Sequence, residues 1–96
     1  MNQYVIIARD GTDEQAIDRR MAARPTHLEG VKTLKDNNQY ISGGAILDDS
    51  GKMIGSVMIL QFETDQEMQA WYDNEPYITQ NVWQAIEVKS FKVANV

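Results

Sequence analysis

The chain has 96 residues, of which 43% are hydrophobic, and a formal net charge of -5 at pH 7. These values suit one folded domain over residues 1–96, and the acidic charge disfavours nucleic acid as a partner, since phosphate backbones select basic surfaces. The absence of cysteine excludes disulfides, thiol nucleophiles and cysteine-based metal sites. Without a basic leader, or an apolar run near the roughly 18 residues of a membrane helix, we expect a cytoplasmic protein with no membrane partner.

The first third of the chain predicts a strand followed by helical sequence. Residues 3–9 (QYVIIAR) are β-branched and aromatic, which is typical of a strand. Thr12 and Gln15 have the spacing of a capping box and predict a helix start. Pro25 either interrupts this helix or begins a second helical segment. In the second case His27, the only histidine of the chain, lies in the first turn of that segment.

The rest of the chain predicts two strands, a helix and a last strand. The strands cover residues 40–47, 53–62 and 85–93, and the turn DDSG at 48–51 joins the first two. Thr64 begins the helix as part of a second capping box, and Pro76 ends it. The order β-α-β-β-α-β predicts the ferredoxin-like α+β plan, a four-stranded antiparallel sheet with helices on one face and the first and third strands central.

Both predicted central strands are apolar on their two alternate faces, around residues 5–8 and 57–60. A sheet with water on one face normally alternates apolar and polar residues. The chain has no further element to cover the second face, so we expect a homodimer that packs sheet against sheet. Alternatively, long side chains such as that of Tyr40 shield this face.

A lone histidine is more often structural than catalytic, and three features favour a functional role for His27. In a first helical turn the dipole disfavours imidazolium, and a neutral imidazole can act as a base. In the predicted topology the start of the first helix and the end of the second lie at one edge, which brings residues 73–77 (DNEPY) near His27. Tyr77, fixed behind Pro76, can donate to a ligand. One histidine without cysteine is a poor ligand set, so no metal site is expected.

Four segments in this order together resemble the YCII-related (YciI-like) family over nearly the whole chain: RPTHLEGVKTL at 24–34, YISGGAIL at 40–47, NEPYITQNVW at 74–83 and VKSFK at 88–92. The resemblance implies a ferredoxin-like fold that pairs into a dimeric α/β barrel. It also implies an active-site pocket that contains a histidine and an aspartate.

The histidine of the family matches His27, and the aspartate before Pro-Tyr falls on Glu75. Glutamate keeps the charge but reaches about 1.5 Å further. Asp73 is the alternative carboxylate. The Gly-Pro pair that is usual after the second strand is replaced by Gly43 and Gly44, which loosens the pocket wall.

Family members with an assigned role resemble a dehydrochlorinase that acts on a chlorinated hydroxyhydroquinone, and the wider barrel superfamily includes lactone isomerases and monooxygenases. The leading hypothesis is therefore a lyase or isomerase without cofactor. His27 moves a proton on a small cyclic or aromatic polar substrate, and Glu75 orients the imidazole. Arg24 and Tyr77 bind substrate oxygens beside the glycine pair of the second strand.

Two other functions stay open. The chain could be a non-catalytic dimeric module that binds a small metabolite in the same pocket. It could also be a haem- or flavin-dependent oxygenase in which His27 ligates iron, although nothing else in the sequence calls for it. Arg19, Arg20 and Arg24 are interpreted mostly as a solvated helix face.

Overall fold

A computed structural model describes all residues from 1 to 96. In chain order its elements are β1 (Asn2–Asp10), α1 (Ala16–Asp36), β2 (Tyr40–Leu47), β3 (Met53–Phe62), α2 (Asp65–Asn74), α3 (Pro76–Thr79) and β4 (Trp83–Phe91). The predicted βαββαβ order is confirmed, with α3 as one additional helical turn. No helix combines the length and the apolar composition needed to cross a bilayer.

The four strands form one antiparallel sheet in the order β2-β3-β1-β4. The prediction that the first and third strands are central is therefore confirmed. Within the β1–β3 pair Ile6 lies opposite Met58, and Ile7 lies opposite Val57. Because successive side chains of a strand point to opposite faces, these two pairs lie on opposite faces of the sheet.

The covered face of the sheet packs against the helices and forms the hydrophobic core. Eleven buried residues make up this core: Tyr4, Ile6, Ala8, Ala23, Leu34, Met58, Leu60, Phe62, Tyr77, Val82 and Trp83. The open face carries no helix. Its central side chains, Val5, Ile7, Val57 and Ile59, are only half-buried.

Helix α1 begins and continues differently from the sequence prediction. Its N-cap is Gln15, whose side chain makes no capping hydrogen bond, so the capping box predicted at Thr12 is wrong. Pro25 lies inside one continuous helix. It removes only one backbone donor, and both Pro25 and Met21 are exposed, so water can hydrate the carbonyl left without a partner.

His27 consequently lies well inside a helix and not in a first turn, which removes the argument from the helix dipole. The second predicted capping box does begin α2, because the Thr64 side chain accepts a hydrogen bond from the Glu67 N–H. Pro76 separates α2 from α3, as the sequence predicted.

Candidate functional site

A cavity of about 150 Å³ lies between α1 and the β2–β3 half of the sheet. A cavity of about this volume in a protein core accommodates one benzene molecule. Its polar lining residues are Arg20, Arg24, His27, Tyr40, Ser56 and Tyr77, and its wall contains no aspartate or glutamate. The cavity therefore has the size of a single ring and a wall rich in hydrogen-bond donors.

His27, a residue of the cavity wall, contacts the buried Glu75, which does not line the cavity, through Nδ1 of the imidazole and Oε1 of the carboxylate. Both side chains are buried. An ionised carboxylate only accepts hydrogen bonds, so we assign the hydrogen to Nδ1. That assignment leaves Nε2 as the ring nitrogen with a free lone pair.

The bend between α2 and α3 sets the position of Glu75. Because a proline follows, Glu75 is extended, with φ -65° and ψ 122°. Its side chain then caps α3, where Oε1 accepts a hydrogen bond of 3.1 Å from the Tyr77 N–H. The Oε1 atom of Glu75 thus caps α3 and also contacts the imidazole of His27.

The phenol ring of Tyr77 lies between two cationic or basic groups of α1. The His27 imidazole stacks on it, with ring centroids 3.9 Å apart and planes 15° apart. The guanidinium carbon of Arg20 lies 4.7 Å from the same centroid. Seven residues of helix span about 10 Å, so Arg20 and His27 contact opposite faces of the ring. Burial raises the pKa of Tyr77 against the opposing charges of Arg20 and Arg24, so the phenol is a hydrogen-bond donor at neutral pH.

Arg20 is the centre of a second buried network, which the sequence analysis missed. It donates through Nη1 to both carboxylate oxygens of Asp10, at 3.0 and 3.1 Å, and through Nη2 to Ser56 Oγ at 2.8 Å. Trp83 Nε1 donates to the same hydroxyl at 3.3 Å. The assignment of Arg20 to a solvated face is wrong, because only 3% of the residue is exposed. Its spacing of seven residues from His27 was the available signal, since residues two turns apart share a helix face.

The remaining predicted site residues have different positions. Arg24 is half-buried in the cavity wall, and Gly43 and Gly44 of β2 also line it. A Cβ atom at Gly43 would lie 2.8 Å from the carbonyl oxygen of Val57, so this position requires glycine. Asp73 is exposed and accepts a hydrogen bond from Gln69, which rules it out as the partner of His27.

A larger groove of about 530 Å³ lies beyond the Asp10–Arg20 pair, near the turn between β2 and β3. Its charged side chains are mixed in sign, with Asp13 and Glu14 beside Arg9 and Lys52, and no histidine or aromatic ring lines it. No group of three or more possible metal-ligating side chains is present in the chain. The cavity beside His27 is therefore the stronger candidate for a functional site.

Three comparisons place this chain among known proteins. It is 34% identical over 95 residues to the protein YciI of Escherichia coli O6:H1, with 93% of this chain and 95% of that protein covered. Its structure is similar to that of the 5-chloro-2-hydroxyhydroquinone dehydrochlorinase of Burkholderia phenoliruptrix AC1100, solved with 2,5-dihydroxybenzoquinone. That match has a TM-score of 0.81 at 23% identity and covers 96% of this chain and 95% of the other.

A dimeric ferredoxin-like protein of unknown function from Jannaschia sp. CCS1 matches with a TM-score of 0.55 at 14% identity, over 97% of this chain and all of that chain (100%). At these identities the structural matches establish the fold alone. The model of the YCII-related domain matches residues 2–92. Together with the identity to YciI, this match shows that the chain belongs to the YCII-related family.

Proposed function

We propose that the protein is a small acid/base enzyme of the lyase or isomerase kind that acts on a single-ring polar substrate. The observation that carries this proposal is the buried contact with Glu75 of His27, a residue in the wall of a ring-sized cavity. A histidine that a carboxylate orients is a recurring arrangement for proton transfer.

In this mechanism Nε2 of His27 removes a proton from the substrate. The electron pair left behind either expels chloride as an anion, or shifts within the ring to a second atom, which takes the proton back from the imidazolium. Glu75 holds the imidazole in the required tautomer and stabilises the imidazolium that forms. The Tyr77 phenol and the Arg24 guanidinium bind substrate oxygens, beside Gly43 and Gly44 in the cavity wall.

The similarity to a dehydrochlorinase supports the choice of reaction class. The ligand named with that enzyme has one six-membered ring, which agrees with the volume of the cavity beside His27. The dehydrochlorinase substrate is accordingly the first compound to test on this chain.

The open face of the sheet supports a proposed homodimer. Val5, Ile7, Val57 and Ile59 form an apolar centre there, and three further strand residues, Arg9, Glu87 and Lys89, are exposed on the same face. An apolar centre with a polar rim is typical of a subunit interface. A protein of the same fold from Jannaschia sp. CCS1 is described as dimeric.

A non-catalytic binding module is the second candidate, and one contact favours it. Glu75 already accepts the N–H of Tyr77 and caps α3, so its carboxylate has a structural role that does not depend on catalysis. A module of this kind would bind a small metabolite in the same cavity without changing it.

Turnover of 5-chloro-2-hydroxyhydroquinone by wild type and by His27→Gln, followed by chloride release, tests the enzyme proposal. Loss of the base should lower kcat by about 100- to 10,000-fold. Lys32→Gln, which changes an exposed residue of the same helix, is the matched control. If folded His27→Gln releases chloride as fast as wild type, the mechanism is wrong. If wild type gains thermal stability from the compound but never converts it, the binding module is the better description.

A further inference from the structure

The charges around the cavity indicate which substrates it accepts. We infer that the cavity selects an anion, a single ring with one carboxylate or phenolate group, and that Arg24 binds this group. The inference rests on the proposed function, because it assigns a substrate class to the same cavity.

The cavity wall and the chain as a whole have charges of opposite sign. The whole chain carries a formal net charge of -5, yet the cavity wall contains two arginines, one histidine and no acidic residue. The two nearest buried carboxylates are already engaged, Asp10 by Arg20 and Glu75 by His27. The wall therefore presents an unbalanced positive charge inside an acidic protein, and such a site favours a negatively charged ligand.

The second observation separates the three arginines of α1. Arg19 donates to both carboxylate oxygens of Asp13, at 2.8 and 2.7 Å. Arg20 is paired in the same manner with Asp10. Arg24 forms no ion pair with any carboxylate of the chain. Among the arginines of this helix, Arg24 alone has its charge free for a ligand.

The position of Arg24 on the helix is the third observation. It lies four residues after Arg20 and three before His27, so the three side chains share one helix face. Arg24 is half-buried, and partial removal from water strengthens its attraction for an anion. A guanidinium also matches the two oxygens of a carboxylate in a bidentate manner.

The polar atoms of the wall support the same ligand chemistry. Tyr77 and His27 also line the cavity, and their rings stack on each other. A cavity of about 150 Å³ is filled by one ring. The charged substituent of that ring therefore lies against the cavity wall, beside the side chains of Arg20, Arg24 and His27.

Benzoate and benzamide form a suitable pair of probes, because they share one ring and nearly one shape but differ in charge. Binding is followed by the amide NMR shifts of Gly43 and Gly44 during titration of the full chain. Wild type should bind benzoate at least about tenfold more tightly than benzamide, the effect of a charge-assisted hydrogen bond. This preference should shrink only partly as salt is added, since a half-buried charge is screened less than an exposed one.

Substitution of Arg24 tests the assignment of the anion to this residue. Arg24→Gln should bring the benzoate affinity down to that of benzamide, and Arg24→Lys should retain part of the preference. Lys32→Gln removes the same charge from an exposed position of α1 and should leave the preference intact. Equal affinity of wild type for the two probes, no detectable benzoate binding, or an unchanged preference in folded Arg24→Gln would overturn the inference. If Arg24→Gln does not fold, the wild-type comparison and Arg24→Lys decide.

Failure of this inference and failure of the proposed function give different results. His27→Gln should lose turnover but keep its preference for benzoate over benzamide. Lost turnover in His27→Gln together with equal binding of the two probes by wild type refutes only the anion site. Unchanged turnover in His27→Gln together with a clear benzoate preference refutes only the proposed chemistry.

Discussion

The two sides of the sheet differ in an instructive way, because one side buries charged groups within its core and the other exposes aliphatic ones. The covered face and the helices packed on it contain all five buried polar or charged residues: Asp10, Arg20, His27, Ser56 and Glu75. The open face has no helix above it, yet its centre is aliphatic, with Ile7 beside Val57. Buried charges are costly unless they are paired, so their concentration on one wall indicates a binding site. Exposed aliphatic side chains in one patch indicate association.

Breaking the buried network of the covered face should have the largest effect. Arg20→Met leaves Asp10 as an unpaired charge in the core, and the free energy of unfolding should fall by about 3–5 kcal/mol. Chemical denaturation measures this change. Adding Asp10→Leu to Arg20→Met should restore much of the loss, because the uncompensated charge is removed. A loss below about 1 kcal/mol in the single variant would show that this pair does not hold the wall together.

A charge at the centre of the open face should have the next largest effect. Ile7→Lys should raise the dissociation constant of the proposed dimer by about 100-fold, because the interface would bury an unpaired ammonium group. The fold of each subunit should survive, since Ile7 points away from the core. Analytical ultracentrifugation measures the constant, and Met21→Lys on the exposed surface of α1 is the control. A monomeric wild type, or an equally stable Ile7→Lys dimer, would contradict the proposed interface.

The sequence predicted which distant residues lie close together better than it predicted where helix α1 begins. The topology predicted the strand order, and it also predicted that Glu75 approaches His27 across 48 residues of sequence. A chain with the element order βαββαβ can adopt only a few topologies. The catalytic role of Glu75 and His27 stays a prediction. The helix start at Pro25 was wrong, because a proline on the exposed side costs one hydrogen bond, which packing of the rest of α1 offsets.

The burial of Arg20 could not be predicted with the same ease. Its partner Asp10 comes at the end of a strand, and Ser56 lies in a strand of mainly apolar residues. A buried ion pair has no local pattern in the sequence, since its members are joined only by the three-dimensional fold. The spacing of Arg20, Arg24 and His27 along one helix face was the one signal available.

Ser56 and Val57 are neighbours in β3 and point to opposite faces of the sheet. One substitution at each residue therefore compares the two faces. Ser56→Ala should lower the free energy of unfolding by about 2 kcal/mol, because Arg20 Nη2 and Trp83 Nε1 both lose their acceptor. It should leave the association state unchanged. Val57→Ala should weaken the dimer and affect the isolated subunit much less. If both variants changed the same property, the functional separation of the two faces would be wrong.

The smallest effect concerns the exposed pair of Asp13 and Arg19, the surface counterpart of the Asp10–Arg20 pair. The guanidinium of Arg19 lowers the pKa of Asp13 from 3.8 to about 2. Because the folded state has the lower pKa, this pair stabilises the fold fully above pH 3.8, and the contribution disappears as the pH falls through 2. The midpoint of urea unfolding, measured from pH 5 to pH 2, should fall less steeply in Asp13→Asn than in wild type. Parallel curves would show that the ion pair adds nothing in solution.

The double use of the Glu75 carboxylate has a consequence for the evolution of the site. A single base change converts a glutamate codon to a glutamine codon. The amide oxygen of glutamine can still accept the Tyr77 N–H and cap α3, so the fold has little reason to reject the change. The same amide oxygen can still accept Nδ1–H of His27, but a neutral amide no longer stabilises the imidazolium that forms when Nε2 takes a proton. One mutational step thus separates the proposed catalyst from a binding protein of the same shape.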